Sequence, residues 1–335
     1  MKVEEKMEKK KLEVDVYNGM FELGNNKGYP FVSCDEMSVL SVMKYYKKNL
    51  LPMMVKMNFM YKIKEEAETL VFTGYNPNLD LDFDLFANIG IKKISNTTQA
   101  IDSLSCIKRS ISDNHPAQFM IDLFYQEGRE YYYNNQHGGH YVLAYGFDDT
   151  KGELYIIDNV AGYDKYIIRY DDFDKLRGVE QNGEIWEYIN NPNIDTFAPE
   201  YVTKMLMMYK TGIRNQMEER EESIELVNIL IEKYDDFMMQ PEFTSHINGV
   251  TYNKISEWCR MLYISKYMLY NIESQKKIEN YLQEIVKDWK RINLFVKYKS
   301  AERLTIDDYS EERRILANIV KNERALNKAL VTELL

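Results

Sequence analysis

Between residues 117 and 189, five apolar runs rich in β-branched and aromatic residues follow one another with short connections. They read AQFMIDLFY (117–125), HYVLAYGF (140–147), ELYIID (153–158), YIIRY (166–170) and EIWEYI (184–189). Such runs are strands, and the Asp-Asp-Thr-Lys-Gly between the second and third is a hairpin turn. A parallel pair needs a long crossover, usually a helix, so these connections predict an antiparallel sheet. Residues 171–177 make a short helix with acidic residues in its first turn.

The flanks have a different character. Upstream, residues 13–23 alternate weakly and predict an entry strand, and Gly24 to Pro30 form a loop. From Ser33 or Cys34 a helix begins, with Met37, Leu40, Ser41 and Lys44 on one face. Residues 52–72 and 80–110 are expected to form helices and loops. Downstream of Asn-Asn-Pro-Asn (190–193), apolar residues recur every three or four positions. Ile224, Val227, Ile231, Tyr234 and Met238 form one stripe; Ile278, Leu282, Ile285, Trp289, Ile292 and Val296 form another. With candidates at 199–219, 252–271 and 309–332, this predicts a bundle of about five helices. The expected organisation is a charged tail (1–12), an α+β domain (13–195) and an all-helical domain (196–335).

Charge narrows the function classes. A net charge of −10 argues against general binding of nucleic acid, which needs clustered cations. Three cysteines in 335 residues are no disulfide framework and suggest a reducing compartment. Met1 to Lys11 alternates Glu and Lys, unlike a signal peptide, and no stretch approaches the ~20 apolar residues of a membrane span. A cytoplasmic location without a membrane partner is the expectation.

One constellation is suited to chemistry. Cys34 sits at a helix start, where the dipole and free N–H groups favour a thiolate. His140 opens one strand of the predicted hairpin and Asp158 closes the next, so the two are neighbours. An imidazole beside the thiol holds the thiolate and shuttles a proton, while a carboxylate fixes the ring tautomer. The backbone N–H of Cys34 and a side-chain amide from Asn25 or Asn26 are candidate donors to an oxyanion. A cysteine at a helix start is by itself usually structural; the conjunction with His140 and Asp158 favours catalysis. His137 is the alternative base. His137 and His140 are too few ligands for zinc, and no metal or bound cofactor is expected. Cys106 and Cys259 fall in helical patterns and read as core.

These residues carry a resemblance. The segments YPFVSCDEMSVLSVMKYY and GGHYVLAYGFDDTKGELYIIDN resemble the N-terminal domain of the butirosin-biosynthesis acyltransferase family, over roughly residues 15–190. The order Cys, His, Asp is also that of papain-like cysteine enzymes. The resemblance implies a papain-like fold followed by a helical extension. In this family the His strand typically ends Gly-Tyr-Asp; here it is Gly146-Phe147-Asp148, and Asp158 is followed by Asn159, the alternative partner for the ring.

The implied activity is amide-forming acyl transfer in natural-product biosynthesis. An acyl group would pass from a phosphopantetheine thioester on an acyl or peptidyl carrier protein, through a Cys34 thioester, to an amine. The family includes closthioamide-type amide synthetases, which join thiotemplated chains to a diamine. Asp35 and Glu36 are candidates to hold the amine, and the helical half would exclude water. Carrier proteins are acidic, so Lys287, Lys290, Arg291, Lys297 and Lys299, or Lys44, Lys47 and Lys48, are candidate docking cations; the ordinary reading of either set alone is a solvated helix surface. A cysteine peptidase and a catalytically silent papain-fold binding module remain alternatives.

Overall fold

The computed structural model describes residues 8–16, 34–56, 58–66, 69–76, 84–98, 100–129, 132–158, 164–177, 183–240, 242–268, 272–302 and 309–334. In chain order its elements are β1 (Lys9–Lys11), α1 (Cys34–Tyr45), α2 (Leu51–Val55), β2 (Met60–Glu66), β3 (Thr69–Tyr75), α3 (Leu85–Ile89), β4 (Ile91–Thr98), α4 (Ala100–Ser112), β5 (Ala117–Asp122), β6 (Gly139–Asp148) and β7 (Glu153–Asp158). There follow β8 (Asp164–Arg169), α5 (Tyr170–Arg177), β9 (Gly183–Asn190), α6 (Pro199–Asn215), α7 (Met217–Glu232), α8 (Tyr234–Met238), α9 (Phe243–Ser265), α10 (Ile272–Glu302) and α11 (Ser310–Leu334). They fall into two compact units: Met1–Leu50 with Asp84–Ala198, and Leu51–Phe83 with Pro199–Leu335.

The first unit is built on an antiparallel sheet of order β4-β9-β5-β6-β7-β8, with β1 added along β6. All five expected strands are present, and antiparallel. The first ends at Asp122, where the carboxylate accepts from the Phe124 N–H at 3.1 Å and turns Leu123–Tyr125 into a 3₁₀ turn. In the β6–β7 turn, Asp148 accepts from the Thr150 N–H at 3.1 Å, and Gly152 takes the left-handed conformation (φ 64°). Strand β6 bulges between Ala144 and Gly146. A Cβ at Gly146 would stand 2.9 Å from the Lys10 carbonyl oxygen and from the Tyr155 ring, so only glycine lets β1 approach here.

Helix α1 carries seven consecutive buried residues, Met37 to Met43. A helix apolar on all sides belongs inside a core, and it packs against β6. Helix α5 covers β5, with Phe119 and Phe173 rings 5.7 Å apart and Arg177 donating to the Met120 carbonyl at 2.8 Å.

The second unit holds the expected helical stripes, now resolved into α6 to α11. It also holds residues that sequence patterning placed elsewhere. Residues 52–72, expected as helices and loops, contain β2 and the start of β3, while 80–110 contain β4 of the first unit's sheet besides helices. The β2–β3 hairpin groups with the helices, not with the sheet domain, because its apolar side chains are completed there. Tyr61 and Phe72 pack on Trp289 at 5.7 and 6.0 Å, and the Tyr61 hydroxyl accepts from the Trp289 indole at 2.9 Å. At the start of the chain the expected tail contains β1, and the expected strand at 13–23 is not a strand over 13–16. The remainder of that run, with the loop 24–30, lies outside the described residues.

Candidate active site

Cys34 is the first residue of α1, half-buried and free of any disulfide. His140 is the second residue of β6, opposite Ile121 of β5, and Asp158 ends β7. The pairing Leu143↔Ile157 carries on to set Asp158 across from Val142, on the same face of the sheet as His140. The hairpin therefore delivers both side chains to one spot: His140 Nε2 lies 2.6 Å from Asp158 Oδ1. Both groups are buried. With Nε2 donating to the carboxylate, Nδ1 is the ring nitrogen left for the thiol, whose nearness raises the ring's pKa.

Burial alone would push the Cys34 thiol up. The hydrogen bond with His140, the Tyr141 N–H, the His140 charge and the Asp35 N–H outweigh it and hold the thiol below its ordinary range. Burial would likewise depress His140. Hydrogen bonds to Asp158 and Cys34, with their charges, raise it instead. Asp158 is pulled down against its burial by His140, Arg129 and Gln126. Both shifts favour a thiolate beside an imidazolium.

Two of these partners have no counterpart in the sequence reading. After the 3₁₀ turn, Arg129 Nη2 donates to Asp158 Oδ1 at 2.7 Å and Gln126 Nε2 donates to Oδ2. Arg129 Nε also donates to Gln126 Oε1 at 3.0 Å, so the two bind the carboxylate as a linked pair. Nothing in Gln126-Glu127-Gly128-Arg129 marks them beforehand. Gln118 could have been suspected, as the one amide in an apolar strand run. Wholly buried, it donates to Asp35 Oδ1 at 2.8 Å and accepts from the Tyr188 hydroxyl.

The remaining candidates separate. His137 is turned to Asp122 Oδ2 at 2.6 Å and stacks on Phe124 at 4.4 Å; it is paired away from the thiol. Asp35 is hydrogen-bonded by Gln118, and Glu36 has partners of its own. Asn25, Asn26 and Asn159 lie outside the described residues. Cys106 and Cys259 are buried, as expected of core. Several of the candidate docking cations have partners within the protein. Lys287 pairs with Glu284 at 3.1 Å, Arg291 with Glu311 at 2.9 Å, and Lys299 with Glu312. Lys48 is buried, donating to the carbonyls of Asn191 and Ile194 at 3.0 and 2.9 Å. Among the described residues no cluster of metal-ligating side chains occurs, and no helix is long and apolar enough to cross a membrane.

Residues 33–159, the stretch from the start of α1 to the end of the His–Asp hairpin, match the family model described as butirosin biosynthesis protein H, N-terminal. This part of the chain is similar to that family, whose description is that of a biosynthesis protein. No curated protein matches the chain.

Proposed function

We propose that this protein is a cysteine-dependent, amide-forming acyltransferase with a papain-like catalytic unit. The observation that carries the reading is the His140–Asp158 hydrogen bond with Cys34 beside the ring, the thiol held low and the imidazole held high. The family match to a biosynthesis protein supports synthesis over degradation.

In this reading the donor is an acyl thioester on the phosphopantetheine arm of a carrier protein. The Cys34 thiolate attacks the thioester carbonyl, and the C–S bond to the pantetheine arm breaks. The His140 imidazolium gives its proton to the departing sulfur, leaving an acyl-Cys34 thioester and neutral His140. One thioester replaces another, so the step is near balance in energy. An amine then attacks the acyl-enzyme carbonyl and gives a proton to His140. The C–S bond to Cys34 breaks, the amide departs, and thiolate and imidazolium are restored. Asp158 keeps Nε2 protonated throughout and steadies the imidazolium, while Arg129 and Gln126 fix the carboxylate. As the first helical residue, Cys34 presents a backbone N–H with no intrahelical partner, suited to a developing oxyanion.

The test is to incubate the protein with acyl-loaded carrier protein and weigh it. The reading expects an acyl adduct on Cys34, absent in Cys34→Ala, that an added amine discharges as amide faster than water discharges it as acid. Faster discharge by water would make the protein a hydrolase instead.

A further inference from the structure

A cleft of about 520 Å³ opens in the first unit beside strands β4 and β9, lined among others by Phe86, Lys92, Lys93, Trp186 and Asn191. It connects with the nucleophile through a short series of contacts. The Tyr141 backbone N–H reaches the Cys34 sulfur, the Tyr141 ring stacks on Trp186 at 4.8 Å, and Trp186 forms part of the cleft wall. Register explains this line: Met120 lies opposite Tyr141 and Gln118 opposite Trp186, so all four share one face of the sheet.

Lys93 is the unusual group in this wall. Its Nζ sits 3.4 Å from the centre of the Trp186 ring and 5.3 Å from that of Phe86. It forms no ion pair among the described residues. The nearby acids are otherwise engaged: Glu184 accepts from Ser95 at 2.8 Å, Asp35 from Gln118, and Asp84 from the Ala87 N–H at 3.1 Å. Lys92, exposed, adds a second positive charge to the lining. A chain with net charge −10 thus presents a hollow with two lysines beside its nucleophile. The aromatic rings hold the ammonium in place by cation–π attraction, and burial lowers its pKa, which only Asp35 and Glu184 at longer range offset. An ammonium partly stripped of water and lacking a counter-ion gains by meeting an anion.

We propose that this cleft is the donor subsite and that Lys93 binds an anionic oxygen group of the acyl donor, with Trp186 as the wall against which the donor lies. The proposal rests on the thioester-donor reading above. Two sources can supply the anion: the phosphate of the phosphopantetheine arm, or a carboxylate on the acyl chain.

The experiment reads protection of Cys34 from iodoacetamide by non-reactive thioether analogues, followed by mass spectrometry. One pair is S-methyl pantetheine against its 4′-phosphate; the other is S-pentyl pantetheine against S-(4-carboxybutyl) pantetheine. In the wild-type protein the anionic member of one pair is expected to protect about tenfold more tightly, a charge-assisted hydrogen bond's worth. The pair that discriminates identifies the source. The preference should vanish in Lys93→Met and survive in Lys93→Arg. No preference in either pair, or one unchanged in Lys93→Met, overturns the subsite. Loading of Cys34 by acyl-carrier protein is scored separately: loading without anion preference removes the subsite alone, and anion preference without loading removes the donor reading alone.

Discussion

Arg129 and His140 converge on a single atom. Asp158 Oδ1 accepts from the guanidinium at 2.7 Å and from the imidazole Nε2 at 2.6 Å, and the two donors stand 3.0 Å apart. Their like charges oppose one another whenever the ring is protonated. Arg129 is thus a positioning group with an electrostatic signature: it fixes the carboxylate and sets a like charge beside the protonated ring. Arg129→Met is expected to lower kcat/KM about tenfold, as loss of an orienting partner does. The alkaline limb of the pH profile should also move to higher pH. A merely structural role would leave that limb in place.

The opposed shifts of Cys34 and His140 set the pH dependence of the thiol itself. The thiolate is stabilised by the imidazolium, so alkylation of Cys34 by iodoacetamide should begin well below the range of an ordinary thiol. The kcat/KM profile should be bell-shaped, rising as Cys34 ionises and falling as His140 loses its proton. In His140→Ala the onset of alkylation should move up, since burial is then opposed by fewer stabilising groups.

Replacing Asp158 by Asn keeps the shape but removes the carboxylate charge that helps raise His140 and exchanges one acceptor oxygen for an NH2 donor. A fall in kcat/KM of about 10²–10⁴ is expected. The descending limb should also shift to lower pH, opposite to the shift in Arg129→Met. Should Asn159→Ala produce that shift and Asp158→Asn not, the neighbouring amide would be the orienting group.

Stability of the helical unit turns on a buried charge cluster. Arg220 meets Glu257 at 2.7 Å and Glu323 at 3.5 Å, and Lys254 meets Glu257 at 2.7 Å, all with almost no exposure. Arg220→Met leaves carboxylates buried with one cation fewer and should cost about 3–5 kcal/mol, read by denaturant unfolding. Burial would raise Glu257, but Arg220 and Lys254 hold it well below an ordinary carboxylate. Its contribution is therefore present above the unfolded carboxylate pKa and is lost as pH falls toward the depressed folded value. In Arg220→Met the acid limb of the stability curve should move to higher pH.

Much of the first unit was legible because strands announce themselves locally. The run from His140 to Asp158 carries β-branched residues, a turn of defined chemistry and a hairpin spacing, so the His–Asp meeting follows from register alone. Cys34 was legible as a helix start. The hairpin at 60–75 was not: its outward positions carry Lys62 and Lys64, and only contact with Trp289, more than two hundred residues away, gives its inner face a purpose. Gln126 and Arg129 were silent for a related reason. They stand in a connection without periodicity, and their role comes from the turn that Asp122 imposes. Lys93 and Trp186 lie on strands paired across a separation no local pattern encodes.

Covalent catalysis by Cys34 is tested most directly by the mass of the protein after exposure to an acyl-loaded carrier protein. It predicts that the intact protein gains one acyl group, mapped to the Cys34 peptide, and that Cys34→Ala and His140→Ala do not. An unmodified Cys34 across a panel of carrier thioesters, with a thiol no more reactive to iodoacetamide than Cys34 in His140→Ala, would contradict it.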